Sequence, residues 1–175
     1  IDLKGKTLLP GFIDAHGHIT SRAGMEQAID LSPSPYGTVN SIPDLQNTLK
    51  AFIQHKKLAS SVPILGNGYD DAIMSEHRHP TRKELDAVSM KKPIIVIHAS
   101  GHASVVNSPM LELLGIAENV EDPEGGHYGR DARDNRLNGK LEENASFAAL
   151  VKLTEMMPKP EPVGSELSQP MKDFI

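Results

Sequence analysis

Apolar and polar positions change period several times along the chain, and each change marks a predicted element. Leu45, Leu49, Phe52 and Ile53 recur at helical spacing. Ser41 precedes them as an N-cap, with Pro43 and Asp44 in the first turn, which predicts a helix to about Ala59. Val62-Pro63-Ile64-Leu65-Gly66 predicts a short strand running into Gly66-Asn67-Gly68-Tyr69-Asp70-Asp71. Thr81-Arg82-Lys83-Glu84 is a capping box opening a short helix to about Val88. Pro93 to His98 is β-branched and nearly continuous, the strongest strand signal in the chain. Its apolar side chains are expected to pack under the helix carrying Leu45, Leu49, Phe52 and Ile53. Ser100-Gly101 suits a tight turn, so His102 to Val106 should pair back as a hairpin. Ser108-Pro109 opens another helix and Gly115 closes it.

The two ends are less regular. Pro10-Gly11 precedes a short buried strand at Phe12 to Ala15, and residues 19–31 are helix-compatible. Ser32 to Gly37 reads as a loop. Residues 120–139 are rich in Gly and Asp and carry little pattern. Glu142 to Met157 predicts a helix with Phe147, Leu150, Val151 and Thr154 on one face, ended by Pro158, Pro160 and Pro162. Alternating strands and helices place the chain in the α/β class.

Composition narrows the possible functions. The chain has 175 residues, 38% apolar and 23% charged, which suits one globular domain. Aromatics are only 4%, and 18 Lys+Arg stand against 23 Asp+Glu, so no nucleic-acid partner is expected. No apolar run approaches the roughly 18–20 residues that span a bilayer, so no membrane role is expected. With no Cys, disulfides and thiolate ligands are excluded, and any metal falls to the eight His and the carboxylates. Ile1 to Gly5 do not read as a signal peptide, and a cytoplasmic location is the default expectation. A chain that opens on Ile1 reads as a piece of a longer protein.

His16-Gly17-His18 is the sharpest chemical feature. Residues i and i+2 of a strand share a face, so both imidazoles can reach one ion, with Asp14 on the same face to orient a ligand. The plainer reading is two surface histidines at a loop. His98, His102 and Asn107 lie beside the apolar strand and either line a pocket or cap a turn. Glu143 either favours the positive end of a helix or faces a metal. Arg82 and Asp86 fit an i,i+4 ion pair, His77 and His79 fall in a polar loop that should be solvated, and His127 is ambiguous.

The order of these pieces resembles a known family. Leu9-Pro10-Gly11-Phe12-Ile13-Asp14-Ala15-His16-Gly17-His18 is similar to the opening of the amidohydrolase superfamily. Several later segments follow in order: Gly68-Tyr69-Asp70-Asp71, Pro80-Thr81-Arg82 with Leu85-Asp86, Ser100-Gly101-His102 with Val106-Asn107-Ser108, and Asp122-Pro123 with Gly125-Gly126. Arg130-Asp131 and Gly139-Lys140-Leu141 with Glu143 and Ala145 complete the series. Together they resemble the amidohydrolase family 3 branch, which includes the YtcJ-like proteins and the N-substituted formamide deformylases.

The resemblance implies a small β-sandwich and a (β/α)8 barrel, with a long α/β insertion after the first barrel strand. Residues 1–35 would hold the end of the sandwich and the first barrel strand, residues 36–140 most of the insertion, and residues 141–175 a helix and linker returning toward an incomplete barrel. It implies metal-assisted hydrolysis of a C–N bond in a small amide, formamide or cyclic amide, with His16 and His18 as ligands of a divalent metal, by expectation Zn. His98, His102, Asn107 and Glu143 would line the substrate pocket. The family's later ligands and proton shuttle have no matching segment, so no catalytic residue is assigned and an inactive N-terminal fragment is expected. Its exposed edges would favour a homo-oligomer. Two alternatives stay open: a non-catalytic binding or regulatory module, and a compact enzyme recruiting His98, His102 or Glu143 as extra ligands.

Overall fold

A computed structural model describes residues 4–13, 28–56, 58–59 and 62–156. Local sequence signals set most of its elements. Ser41 Oγ accepts the Asp44 N–H at 3.2 Å and opens α1, Ile42–His55. This helix stops before Ala59 because Lys56 turns to extended backbone. The strand β2 spans Ile64–Tyr69, longer than its apolar run suggested. Thr81 and Glu84 close a full capping box on α2, Arg82–Asp86. β3 is Ile94–His98 and β4 is Ala103–Val106. Asn107 caps α3, Ser108–Leu114, and Gly115 ends it in left-handed backbone at φ 68°.

Four features differ from the sequence expectations. Ile29–Asp30 form β1, a two-residue strand parallel to β2, where a helix had been admissible. Of the strand expected at Phe12 to Ala15, Phe12 and Ile13 are 95% and 92% exposed and lie in no strand, while Asp14 and Ala15 lie outside the described residues. The patternless stretch holds β5, Gly126–Arg130, and leads into β6, Leu137–Glu143. The last helix, α4, is Asn144–Met156; Glu142 and Glu143 belong to β6. It buries Ala145, Ser146, Ala149 and Leu153, while Phe147 and Val151 are exposed. The small residues let the first turns of the helix lie close to the sheet, so Phe147 and Val151 turn outward while Leu153 packs inward.

The six strands form one sheet in the order β1-β2-β3-β4-β6-β5. β1, β2 and β3 run parallel, and the remaining pairs are antiparallel. The period of two in β3 divides the core. Ile94 and Val96 pack with Leu45, Leu49, Phe52 and Ile53 of α1, as expected. Ile95 faces the other way, toward Met110, Leu114, Ala149 and Leu153.

This topology gathers titratable residues at one end of the sheet. β2, β3 and β6 finish there, and β4 and β5 begin there, as the pairings Tyr69 with His98, Ala103 with Glu142 and Gly126 with Glu143 show. Asp70, Asp71, His98, His102, Glu142 and Glu143 therefore share one edge. In open sheets with parallel strands, ligand crevices lie outside the strands' C-terminal ends. Asn107 sits at the opposite end, where its N–H bonds the Ile94 carbonyl at 3.1 Å.

Candidate functional site

The sheet end carries two groups of side chains. The first is built on β2 and β3. Tyr69, the last residue of β2, is fully buried, and its hydroxyl shares a 3.1 Å hydrogen bond with His79 Nδ1. His98, the last residue of β3, packs edge-on against both rings, with centroids 5.2 Å from Tyr69 and 5.6 Å from His79. Its Nε2 lies 3.0 Å from Asp71 Oδ1 and 3.9 Å from Asp70 Oδ1. Neither contact has hydrogen-bond geometry, so this buried nitrogen has no hydrogen-bond partner. Asp70 Oδ1 also accepts the Ala72 N–H at 3.0 Å.

Electrostatics follow from the burial. Desolvation pushes the Tyr69 phenol far above its ordinary value, and the Asp71 and Glu142 carboxylates push it further. Desolvation also pushes the His79 imidazole down; Asp71 opposes that shift while Lys140 and His98 add to it. His79 is thus a half-buried member of the group rather than a solvated loop residue.

The second group joins β4, β6 and α4. His102 Nδ1 lies 3.0 Å from Glu143 Oε2, and Glu143 N–H donates to the His102 carbonyl at 2.8 Å. Both side chains are open to solvent, at 62% and 55% exposure, so the ion pair contributes little stability. Phe147 packs edge-on to the His102 ring at 5.8 Å. Glu143 sits at φ 48°, a left-handed conformation that a side chain adopts only at a cost. The residue sits where β6 gives way to α4, with its backbone held by His102.

The other candidate residues go elsewhere. Asn107 is fully buried and does not join His98 or His102. Its Oδ1 accepts from Ile94 and Met110 N–H, and its Nδ2 donates to the Ser89 and Lys92 carbonyls. All its polar atoms are committed to holding the chain, so the expected placement in a pocket with the two histidines does not occur. Arg82 and Asp86 do not pair directly. Arg82 Nε donates to Ser108 Oγ at 2.7 Å, and Ser108 Oγ donates to Asp86 Oδ2 at 2.6 Å, while Arg82 pairs with Glu118. The hydroxyl between them draws both side chains toward α3 rather than to each other. His127 pairs with Asp122 on the surface. His16, His18 and Asp14 lie outside the described residues. Tyr69, Asp70 and Asp71 were visible in sequence only as a motif; their approach to His98 depends on parallel strand pairing.

One end of this mixed α/β sheet thus gathers imidazoles and carboxylates from strands distant in sequence. The Amidohydrolase family model matches residues 1–174, and the chain belongs to that family. It is 33% identical over 148 residues to the N-substituted formamide deformylase of Arthrobacter pascens, covering 84% of this chain and 26% of that protein. It is 27% identical over 132 residues to the putative amidohydrolase YtcJ of Bacillus subtilis (strain 168), covering 75% and 24% respectively. The crystal structure of an uncharacterized metal-dependent hydrolase from Pyrococcus horikoshii OT3 is similar, with a TM-score of 0.54, 26% identity, and coverage of 84% of this chain and 25% of that one. The chain thus spans about a quarter of the length of these relatives. Among the described residues, no helix is long and apolar enough to cross a membrane.

Proposed function

We propose that this chain is part of a metal-dependent amidohydrolase that cleaves C–N bonds in small amides, formamides or cyclic amides. The family match across residues 1–174, which takes in His16-Gly17-His18, carries this reading. His16 and His18 would hold a divalent metal, by preference Zn. Such an ion lowers the pKa of bound water toward about 7 and polarises the carbonyl under attack. Two imidazoles fall short of the usual three protein ligands of catalytic zinc, so further ligands come from the part of the protein that the relatives possess beyond this match. The 175-residue chain alone is then inactive.

His102 and Glu143 are the residues of the described sheet end that we assign to the substrate side, with His98 beside them. Glu143 accepts from the imidazole and orients it, and Phe147 offers an apolar wall. Residues 36–140 would form most of an insertion between barrel strands. The exposed Leu8, Leu9, Phe12 and Ile13 would be covered by barrel neighbours in the whole protein, or by a second copy in the isolated chain. We place the protein in the cytoplasm. The test is a panel of N-substituted formamides, simple amides and cyclic amides offered to the full-length protein. Hydrolysis that is lost on chelation and restored by Zn supports the reading; hydrolysis indifferent to chelation, or none with any of the three classes, refutes it.

A further inference from the structure

The Asp70, Asp71 and His98 group has the composition and spacing of an ion site. Its three ligand atoms all lie within 4.8 Å of one another. Donors that share a tetrahedral ion through bonds of roughly 2.0–2.2 Å stand about 3.3–3.6 Å apart. The observed 3.0 and 3.9 Å from His98 Nε2 to the two carboxylates bracket that spacing, so rotamer adjustments alone can close the shell. The carboxylates are not the whole of the case. His98 Nε2 is the one buried side-chain nitrogen or oxygen without a hydrogen bond among the described residues, and both carboxylates stand within 3.9 Å of it. A buried polar atom left without a bond calls for an unseen partner. The ring cannot swing away, since Tyr69 and His79 pack against it edge-on.

We propose that Asp70, Asp71 and His98 bind one divalent transition-metal ion, through ligands other than those of the His16-Gly17-His18 motif. One imidazole with two carboxylates suits Zn, Co, Mn or Fe; Ca and Mg take all-oxygen shells. Three protein ligands leave one position for water. The Ala72 N–H on Asp70 Oδ1 holds that carboxylate in place, as outer partners of metal ligands do.

The site also sets a signature for occupancy. Ser100 N–H donates to His98 Nδ1 at 3.1 Å, so without an ion Nδ1 is an acceptor and the ring proton sits on Nε2. An ion on Nε2 requires that proton to move, through solvent, to Nδ1. Ser100 Oγ, 2.8 Å from Nδ1, is placed to accept it there, and the Ser100 amide contact is given up. The ring changes tautomer.

The test uses the full 175-residue chain carrying His16→Ala and His18→Ala, titrated with ZnCl2 by calorimetry and followed by imidazole 15N resonances. The expected result is one Zn per chain, with the His98 resonances moving from the Nε2–H to the Nδ1–H pattern. His98→Gln and Asp71→Asn, each checked for folding by circular dichroism, should weaken binding at least about 10-fold. If His98→Gln fails to fold, Asp71→Asn and the resonances decide. No Zn bound, Zn bound with an unchanged His98 tautomer, or affinity unmoved in the folded variants overturns the proposal. None of these outcomes decides the amidohydrolase reading, which the family match carries and substitution of His16 and His18 in the full-length protein tests.

Discussion

Asn107→Ala removes four hydrogen bonds from a fully buried position at once. The Met110 N–H loses its 3.0 Å cap, which costs about 1 kcal/mol and up to about 2. The Ile94 N–H, 2.9 Å from Oδ1, is left in a fully buried stretch of β3 with no water to replace its acceptor, which costs about 1–3 kcal/mol. The Ser89 and Lys92 carbonyls belong to partly exposed residues and recover bonds from solvent, so they add less. A loss of roughly 3–5 kcal/mol follows, a large share of the typical 5–15 kcal/mol stability of a domain. At about 2–4 °C per kcal/mol for a chain of this size, Tm falls by roughly 6–20 °C. Urea unfolding followed by circular dichroism measures this as a shift in midpoint at constant slope. A loss below about 1 kcal/mol would refute the reasoning. Lost hydrolysis in a full-length variant of unchanged stability would return Asn107 to the substrate pocket.

Three further outcomes follow from particular contacts. Glu143→Gly relieves the φ of 48° and should raise stability by about 0.5–1 kcal/mol in urea while lowering hydrolysis in the full-length protein; a loss of stability contradicts the strain argument. Gly139→Ala places a methyl group against the Val106 carbonyl and 2.8 Å from Arg82 Cβ at φ 92°, and should cost about 3 kcal/mol or more; a calorimetric melt within about 2 °C of the parent contradicts it. Burial pushes the Glu84 carboxyl up, but the Arg78 guanidinium, the Thr81 hydroxyl and the Thr81 N–H outweigh this and hold it below the ordinary carboxylate value. Its contribution is therefore complete above the unfolded value of 4.5 and is lost as pH falls through the lower folded value. Between pH about 6 and about 3, Glu84→Gln should lose less stability than the parent; equal losses refute the assignment.

Elements defined by adjacent residues were legible in sequence. Ser41 and the capping box at Thr81 and Glu84 mark helix starts by the bonds they make, and Gly115 marks a stop by the backbone it alone accepts easily. Pro93 to His98 declares a buried strand because every residue in it is apolar or β-branched until the end. β6 was harder, although Leu137, Gly139 and Leu141 alternate inward. Glycine carries no apolar signal, and acceptance of φ 92° at Gly139 is invisible in a hydropathy pattern. Phe147, Leu150, Val151 and Thr154 share one face of α4, but the face that meets the sheet is Ala145, Ser146, Ala149 and Leu153, because small residues allow close approach and carry little hydropathy signal. The sheet-end groups were legible only in pieces. His102 and Glu143 were singled out separately, and their 3.0 Å contact depends on β4 pairing with β6 across 41 residues. Asp71 meets His98 only because β2 and β3 run parallel and finish together.

The most direct test of the metal-dependent hydrolase reading is the rate of amide or formamide hydrolysis by the full-length protein after His16→Ala and, separately, His18→Ala, with folding verified by circular dichroism. Loss of the ion that activates water should lower kcat/KM by at least about 1,000-fold in each variant, equivalent to roughly 4 kcal/mol of transition-state stabilisation. A folded variant of either kind that hydrolyses its substrate within a few-fold of the parent rate would contradict the assignment of the two histidines, and with it the reading of this chain as part of a metal-dependent hydrolase.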